Sequence, residues 1–258
     1  MTTGLNSQIE LRAIVAAFGI EALAIERFES GFGGQKWTIN CRDNQLFVLK
    51  RHERRGFDAA RIESARVFVS ALEQARIAPI AMATSLGTSY CERESGLYSL
   101  ATFVTGLSHD RSNLALRSSA VTLAHMHRLG REHAADVPLR KVRSFDALEF
   151  LNVQMKALAS RTNTSMVSAS VCLAEAQQTL HRYESGVIVG PVHGDFHAGN
   201  VILQDNGGIV IVDFDSVHFS ERAYDVAIAM ESFMRDSANW QRLSAFAIEY
   251  HQAWVRLV

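Results

Sequence analysis

Residues 192–200 read Val-His-Gly-Asp-Phe-His-Ala-Gly-Asn, and residues 211–215 read Ile-Val-Asp-Phe-Asp. Between these stretches lie two short runs of Val, Ile and Leu on either side of an Asp-Asn-Gly-Gly sequence. An Asn-Gly pair between β-branched runs is a strong signal for a hairpin of two antiparallel strands. Such a hairpin brings Asp213 back beside Asn200, which follows Asp195 by five residues. The sequence therefore predicts that three polar side chains meet at one end of a hairpin.

These three side chains have the chemistry that phosphoryl transfer needs. A carboxylate placed against a hydroxyl can orient it and accept its proton, and Asp195 is the candidate for this role. Magnesium prefers hard oxygen ligands. Asn200 offers an amide oxygen and Asp213 offers a carboxylate. The spacing of the three residues is the one that enzymes of the kinase type use for a base and two magnesium ligands.

A glycine-rich turn near the N-terminus is the first candidate for binding phosphate. Gly31, Gly33 and Gly34 lie between two predicted strands. Glycines allow the backbone to approach phosphate groups closely and to adopt positive φ. A later strand ends in Phe-Val-Leu-Lys50, which is similar to the strand that carries the phosphate-binding lysine of kinases. Each feature on its own is also compatible with an ordinary turn and a surface lysine.

A helix is predicted from residue 58 to residue 74, because apolar residues recur there at helical spacing. Glu63 borders the apolar stripe and could reach Lys50, and a lysine–glutamate ion pair is a required part of a kinase site. The alternative is that Glu63 is solvated, as most glutamates on helices are. The stripe comprises Ile62, Ala65, Val69 and Leu72.

Together these motifs resemble the aminoglycoside phosphotransferase family of small-molecule kinases, also called the choline-kinase-like branch. The most specific part of the resemblance is His-Gly-Asp-x-His-x-x-Asn over residues 193–200. The resemblance covers nearly the whole chain and implies an α+β, two-lobed fold similar to that of protein kinases. A β-rich N-lobe is expected over residues 1–104 and a mostly helical C-lobe over residues 105–258. The expected cofactors are ATP, with GTP as an alternative, and Mg²⁺.

The resemblance also implies a role for each site residue. Asp195 would be the catalytic base, Asn200 and Asp213 the metal ligands, and Lys50 the anchor of the α- and β-phosphates. Asp225 would brace the catalytic loop from the following helix. An apolar strand near the end of the N-lobe would be the hinge, in which backbone groups read the adenine edge. The hinge residues are Thr102, Phe103 and Val104.

Two other classes of protein are compatible with parts of the sequence. His193, Asp195, His197 and Asp213 could form the metal cluster of a hydrolase that binds zinc or iron. This interpretation ranks second because it leaves the N-terminal features unexplained. A nucleotide-binding regulator without turnover is the third possibility. It is disfavoured because the lysine, the base and both metal ligands are all present, and degenerate kinases usually lose one of them.

The acceptor is expected to be a hydroxyl group of a small molecule. Only about a dozen residues separate Asp213 from Asp225, which leaves no room for the long activation segment of protein kinases. An antibiotic of the aminoglycoside type is the first candidate, and an amino alcohol such as homoserine or choline, or a sugar, is the next. Acidic and basic residues after position 220 are nearly balanced, which disfavours a polycationic drug.

Composition and cysteine usage limit the class of protein further. With 258 residues, 48% of them hydrophobic, the chain can bury a sizeable core. A formal net charge of −1 gives no sign of a nucleic-acid-binding surface. No apolar run approaches the about 20 residues that cross a bilayer. Cys41, Cys91 and Cys172 are far apart, and an odd count without a secretion signal fits the cytoplasm. We expect a monomer or a homodimer.

Apolar periodicity predicts further helices and one polar connection. The connection, residues 131–144, could be a lid over the site or an ordinary loop. The predicted helices span residues 9–18, 113–130, 145–160, 165–183 and 240–258, and another begins at residue 226.

Overall fold

The computed structural model describes residues 3–28, 35–52, 59–109, 112–133, 189–234 and 240–257. Three parts of the sequence that carry predictions lie outside these ranges, and their predictions stay predictions. They are the glycine-rich turn with Gly31, Gly33 and Gly34, the connection from residue 134 to residue 144, and the predicted helices 145–160 and 165–183.

An antiparallel sheet forms the N-terminal region. Its strands are β1 (Ala22–Phe28), β2 (Gln35–Cys41), β3 (Leu46–His52), β4 (Cys91–Arg93) and β5 (Gly96–Thr102). The strand order is β1-β2-β3-β5-β4. Strand β2 pairs with β3 in a register that sets Lys36 opposite Lys50. Because directly opposite residues of an antiparallel pair lie on the same face, both lysines point to the same side of the sheet.

Helix α1 (Thr3–Ala17) packs on the other side of this sheet and closes the first hydrophobic core. It ends before Gly19, whose φ of +74° is a left-handed conformation that glycine adopts without strain. Ile14 of α1 and Leu49 of β3 are fully buried in this core. Since side chains alternate along a strand, burial of Leu49 turns the neighbouring Lys50 to the opposite face.

Helices dominate the rest of the described chain, which also contains two small antiparallel sheets. One of these sheets pairs β7 with β10, and the other has the order β6-β8-β9. The helices are α2 (Ala59–Gln74), α3 (Asn113–Glu132), α4 (Ala223–Met234) and α5 (Trp240–Leu257), and the strands are β6 (Leu107–Ser108), β7 (Val189–Val192), β8 (Val201–Leu203), β9 (Ile209–Ile211) and β10 (His218–Glu221).

The second hydrophobic core joins α2 to the C-terminal elements. Phe68 and Leu72 on α2 are fully buried, and so are Leu123 on α3 and Ile211 on β9. Phe196, in the loop between β7 and β8, is fully buried in the same cluster. This core therefore fixes the loop between β7 and β8 against the helix that follows β3.

The sheet-rich N-terminal region and the helical C-terminal region confirm the predicted α+β class. The helices predicted from residues 9, 113, 226 and 240 are present as α1, α3, α4 and α5, and α1 and α4 begin a few residues earlier than predicted. The lobe boundary at residues 104 and 105 stays a prediction. None of the described helices is both long and apolar enough to cross a bilayer.

We expect Phe68→Ala to destabilise the protein by about 3–5 kcal/mol, because it removes a fully buried ring from the second core. Val67→Ala on the same helix is the control. Val67 is 37% exposed, so its truncation should cost about 1 kcal/mol or less. Urea unfolding followed by circular dichroism measures both variants. Equal losses would contradict the burial of α2 in this core.

Candidate active site

The hairpin of β8 and β9 sets Asn200 beside Asp213, as the sequence predicts. Val201 pairs with Ile211 in this hairpin, and the amide of Val212 donates a 3.0 Å hydrogen bond to the carbonyl of Asn200. Asp213 comes next and has a left-handed backbone with φ of +69°. This conformation is uncommon for residues other than glycine, and strained residues of this kind cluster at functional sites.

Lys50 lies between two carboxylates. Its Nζ atom is 2.5 Å from Asp213 Oδ1 and 2.6 Å from Asp215 Oδ2. Lys36, opposite Lys50 in the sheet, places its Nζ 2.9 Å from Asp213 Oδ2. Only 13% of the Lys50 side chain and 16% of the Asp213 side chain are exposed, so water screens these charges weakly. Two ammonium groups therefore share the carboxylate that the sequence predicts as a metal ligand.

Burial and charge pairing act in opposite directions on these groups. Burial disfavours the charged form of Lys50, but the charges of Asp215 and Asp213 outweigh it and raise the pKa of the ammonium above its ordinary value. Burial also disfavours the ionised form of Asp213, but the positive charge of Lys50 outweighs the effect of burial and lowers the pKa of this carboxyl. The pKa of Asp215 is lowered against burial by His52 and Lys50. At neutral pH, Lys50 is charged and both aspartates are ionised.

Glu63 does not pair with Lys50, which corrects the expected lysine–glutamate ion pair. Its carboxylate accepts hydrogen bonds from the Ser89 amide at 2.6 Å and the Ser89 hydroxyl at 3.1 Å. The physical reason is that the segment before β4 offers two donors to this carboxylate. The helical spacing of apolar residues along α2 places Glu63 at the edge of the buried face, but it does not determine which hydrogen-bond donor the carboxylate reaches.

The loop between β7 and β8 presents Asp195. Asn200 holds this aspartate, because its side-chain amide donates to the Asp195 carbonyl at 2.9 Å and to Oδ2 at 3.2 Å. His197 Nε2 lies 3.4 Å from the same Oδ2. The Asp195 side chain is nevertheless 48% exposed, so a molecule from solvent can reach it. Since the Asn200 nitrogen is engaged, its Oδ1 oxygen is the atom that can face a cation.

A buried carboxylate on α4 fixes the start of this loop. Asp225 is fully buried, and its oxygens accept from the amides of His193 at 2.7 Å and Gly194 at 2.8 Å. The Nε2 atom of His127 on α3 lies 2.9 Å from Asp225 Oδ2, and its Nδ1 lies 2.8 Å from the Tyr250 hydroxyl on α5. Burial would raise the pKa of Asp225, but these bonds, His127 foremost, lower it. The predicted brace from the following helix is confirmed.

His193 stays neutral inside the fold. Its Nε2 donates to the carbonyl of Val212 at 3.1 Å, which can only accept, and its Nδ1 accepts from the amide of Asp195 at 3.2 Å. Burial lowers the pKa of the ring, despite nearby carboxylates that favour the proton. Both ring nitrogens are thus engaged. Across the described ranges, no three His, Cys, Asp or Glu side chains are grouped so that they could hold a metal ion.

Gly194 is required by the close approach of the segment after β9. Its φ is +81°, and a Cβ atom at this position would overlap the carbonyl oxygen of Ser216. A left-handed backbone and a carbonyl in contact together leave space for glycine alone. The residue before the candidate base is therefore set by packing rather than by chemistry.

The predicted hinge lies at the end of β5 and just beyond it. The amides of Thr102 and Phe103 donate to backbone carbonyls of neighbouring segments, at 2.9 and 2.8 Å. The ring of Phe103 meets Phe28, at the end of β1, edge to face with centroids 6.3 Å apart. Two of the three amides predicted to read adenine therefore have protein partners already, and the amide of Val104 is the remaining candidate.

The charged groups around Lys50 include three residues to which the sequence motifs assign no role. They are Lys36, His52 and Asp215. His52 Nδ1 lies 3.5 Å from Asp215 Oδ2, at the outer limit of a hydrogen bond. Two signals could have found the basic residues. The period of two along β3 places His52 on the same face as Lys50, and the short turn between β2 and β3 sets Lys36 opposite Lys50.

Comparison with known proteins agrees with this geometry. A model of the phosphotransferase enzyme family, APH, matches residues 24–257. The match includes nearly the whole chain and every site residue described above. The chain therefore belongs to the phosphotransferase enzyme family. No curated protein matches it in sequence.

Solved structures with a similar fold include kinases of small molecules. Amicoumacin kinase hAmiN, in complex with AMP-PNP, Ca²⁺ and Ami, has a TM-score of 0.76 at 14% identity, and the match covers 99% of this chain and 80% of that one. Macrolide 2′-phosphotransferase MphH from Brachybacterium faecium has a TM-score of 0.64 at 14% identity, covering 96% and 83%. Choline kinase LicA from Streptococcus pneumoniae has a TM-score of 0.62 at 12% identity, covering 95% and 79%. These likenesses confirm the predicted kinase-like fold.

We expect Gly194→Ala to be more destabilising than Gly87→Ala, although both glycines have a φ near +80°. Gly87 has no atom within 4 Å of an added Cβ, so its variant should cost only the left-handed strain, about 1–2 kcal/mol. The overlap with Ser216 should add about 2 kcal/mol at Gly194. Urea midpoints of the two variants give the comparison. Equal midpoints would contradict the close approach of Ser216 to the loop.

The neutral state of His193 predicts a pH dependence of stability. The folded pKa is lowered, so the unfolded chain takes up a proton below about pH 6.5 while the folded chain does not. The stability that the wild type gains from His193 is thus complete above pH 6.5 and is lost as pH falls. The gap in unfolding free energy between wild type and His193→Gln should narrow by up to about 1.4 kcal/mol from pH 7.5 to pH 5.5. A gap that widens over this range would mean that the folded ring is protonated.

Proposed function

We propose that the protein is an ATP- and Mg²⁺-dependent phosphotransferase that moves the γ-phosphate of ATP to a hydroxyl group of a small molecule. The observation that carries this proposal is the pairing of Lys50 and Lys36 with the Asp213 carboxylate, at the same end of the β8–β9 hairpin where Asn200 holds the half-exposed Asp195. The lysines can bind phosphate, Asp213 can bind a metal ion, and Asp195 can accept a proton from a hydroxyl group. Asn200 connects the last two, because it lies beside Asp213 and is hydrogen-bonded to Asp195. Membership of a phosphotransferase family agrees with this function.

The nucleotide would lie between the sheet and the hairpin. Lys50 and Lys36 would bind its phosphates, since ammonium groups form strong charge-assisted hydrogen bonds with phosphate oxygens. The glycine-rich turn before β2 would cover the phosphates with backbone amides. The amide of Val104 would read the adenine edge, close to the ring of Phe103. GTP remains an alternative, because a backbone amide discriminates weakly between purines.

The donor set fits a magnesium ion. The Asp213 carboxylate already attracts two cationic groups, and Asn200 has an amide oxygen to offer because its nitrogen is bonded to Asp195. Both are hard oxygen donors of the kind that Mg²⁺ prefers. When bound, Mg²⁺ would neutralise the charge that develops on the phosphoryl oxygens.

Asp195 would act as the base. The acceptor hydroxyl gives its proton to this carboxylate while its oxygen attacks the γ-phosphorus and the bond to ADP breaks. Asn200 orients one carboxylate oxygen, and Asp225 fixes the two amides that precede the base. The position of the base is therefore set before the substrates bind, so much of the rate enhancement would come from positioning.

For the acceptor we propose a hydroxyl group of an antibiotic. The alternatives are an amino alcohol, such as choline or homoserine, and a sugar. The proteins of similar structure include amicoumacin kinase, a macrolide phosphotransferase and choline kinase. Two acidic residues of the C-terminal region have internal partners: Asp225 is buried under the loop, and Glu249 lies 3.5 Å from Arg117. Fewer acids then remain to attract a polycation, which favours an acceptor with little positive charge.

We expect Asp195→Asn to lower phosphotransfer turnover by about 10²–10⁴-fold, because the amide cannot accept the hydroxyl proton. ATP binding and the urea midpoint should stay close to those of the wild type. The measurement is ADP release with Mg²⁺-ATP and a panel of hydroxyl acceptors, with the phosphorylated product identified by mass spectrometry.

Asp205→Asn is the matched control, since Asp205 is an exposed residue in the turn of the same hairpin. Its turnover should equal that of the wild type. The proposal fails if Asp195→Asn retains full turnover. It also fails if the wild type neither binds ATP nor releases ADP with any acceptor.

A further inference from the structure

The carboxylate that holds Lys50 comes from the segment after the proposed metal ligand, not from helix α2. Asp215 Oδ2 lies 2.6 Å from Lys50 Nζ, whereas Glu63 on α2 is bonded to Ser89. We propose that Asp215 is the positioning residue of Lys50, in the place of the helix glutamate of protein kinases. This proposal rests on the proposed function, because the position of Lys50 matters when nucleotide phosphates bind to it.

Asp213 cannot serve as the lasting partner of Lys50. Its Oδ1 contacts Lys50 and its Oδ2 contacts Lys36, so both oxygens are shared before any metal is present. A metal ion bound to this carboxylate would compete with both ammonium groups for its charge. Asp215 would then be the carboxylate that keeps the Lys50 ammonium in place, with 13% of the lysine side chain exposed.

Asp215 is itself held from two directions. Arg61 on α2 donates from its guanidinium to the main-chain carbonyl of Asp215 at 2.8 Å. His52, two residues after Lys50 on β3, brings Nδ1 to 3.5 Å from the Asp215 carboxylate. Helix α2 thus contributes to the lysine site through Arg61 and the Asp215 backbone. The carboxylate that meets the lysine is supplied by a different segment.

The two acidic residues therefore have separable tasks. Asp215 orients the lysine that would bind phosphate, and its loss should change nucleotide binding. Glu63 ties α2 to the segment before β4 through the amide and hydroxyl of Ser89, and its loss should change stability alone. Asp215→Asn and Glu63→Gln remove one charge each with nearly unchanged volume, so they form a matched pair.

The test is calorimetric titration of ADP into the wild type and both variants, first in EDTA and then at rising Mg²⁺ concentrations. ADP carries the α- and β-phosphates and requires no acceptor. We expect Asp215→Asn to bind ADP about tenfold more weakly at saturating Mg²⁺, because a charge-assisted hydrogen bond that orients the lysine is lost. The loss should be smaller in EDTA, where Asp213 still contacts Lys50. Asp215→Glu should recover part of the affinity. Glu63→Gln should bind ADP as the wild type does and unfold at a lower urea concentration.

Three results would overturn the proposal while leaving the phosphotransferase function standing. A defect of Asp215→Asn that excess Mg²⁺ relieves would make Asp215 a metal ligand. Tighter ADP binding by this variant would mean that Asp215 competes with phosphate for Lys50. An equal loss in Glu63→Gln would return the positioning role to α2. A wild type that binds no ADP under any condition would overturn the proposed function and this proposal together.

Discussion

The buried carboxylate of Asp225 is the group on which the candidate site depends. An ionised carboxylate inside a protein is strongly unfavourable unless hydrogen bonds and charges surround it. Here two backbone amides of the loop and the ring of His127 do so. Because the amides belong to His193 and Gly194, the same bonds that make burial tolerable also set the direction of Asp195. Helices α3, α4 and α5 therefore hold one loop conformation.

A second set of charges joins the N-terminal sheet to the hairpin. Lys36 and Lys50 come from the sheet, and Asp213 and Asp215 come from the segment that follows the hairpin. The lysines and aspartates neutralise each other in a place with little exposure to water. In the proposed function, a metal ion would bind Asp213 in place of the lysines and phosphate groups would pair with the lysines, while Asp215 would stay in contact with Lys50. In that proposal, the internal pairing would hold the charged groups in place before either ligand binds.

Local signals made much of this arrangement predictable from the sequence. The Asn-Gly turn gave the hairpin that brings Asn200 to Asp213, and the two-residue period of β3 gave the direction of Lys50. The partner of Lys50 was not predictable, because the sequence offers several candidate carboxylates and no local pattern selects one of them. Which one meets the lysine depends on how the hairpin approaches the sheet, a tertiary contact between residues more than 160 positions apart. The close packing of Ser216 on Gly194 is likewise a long-range contact without a local signal.

The most direct test of the account is thermal unfolding of the wild type with Mg²⁺ alone, ATP alone and the two together. A ligand that binds only the folded state adds about 2.7 kcal/mol of stability at 100 times its dissociation constant. The account predicts a rise in unfolding temperature with ATP and a larger rise with ATP and Mg²⁺, because Asn200 and Asp213 then add metal contacts to those of the lysines. An unfolding temperature that does not change with ATP or GTP, with or without Mg²⁺, would contradict it.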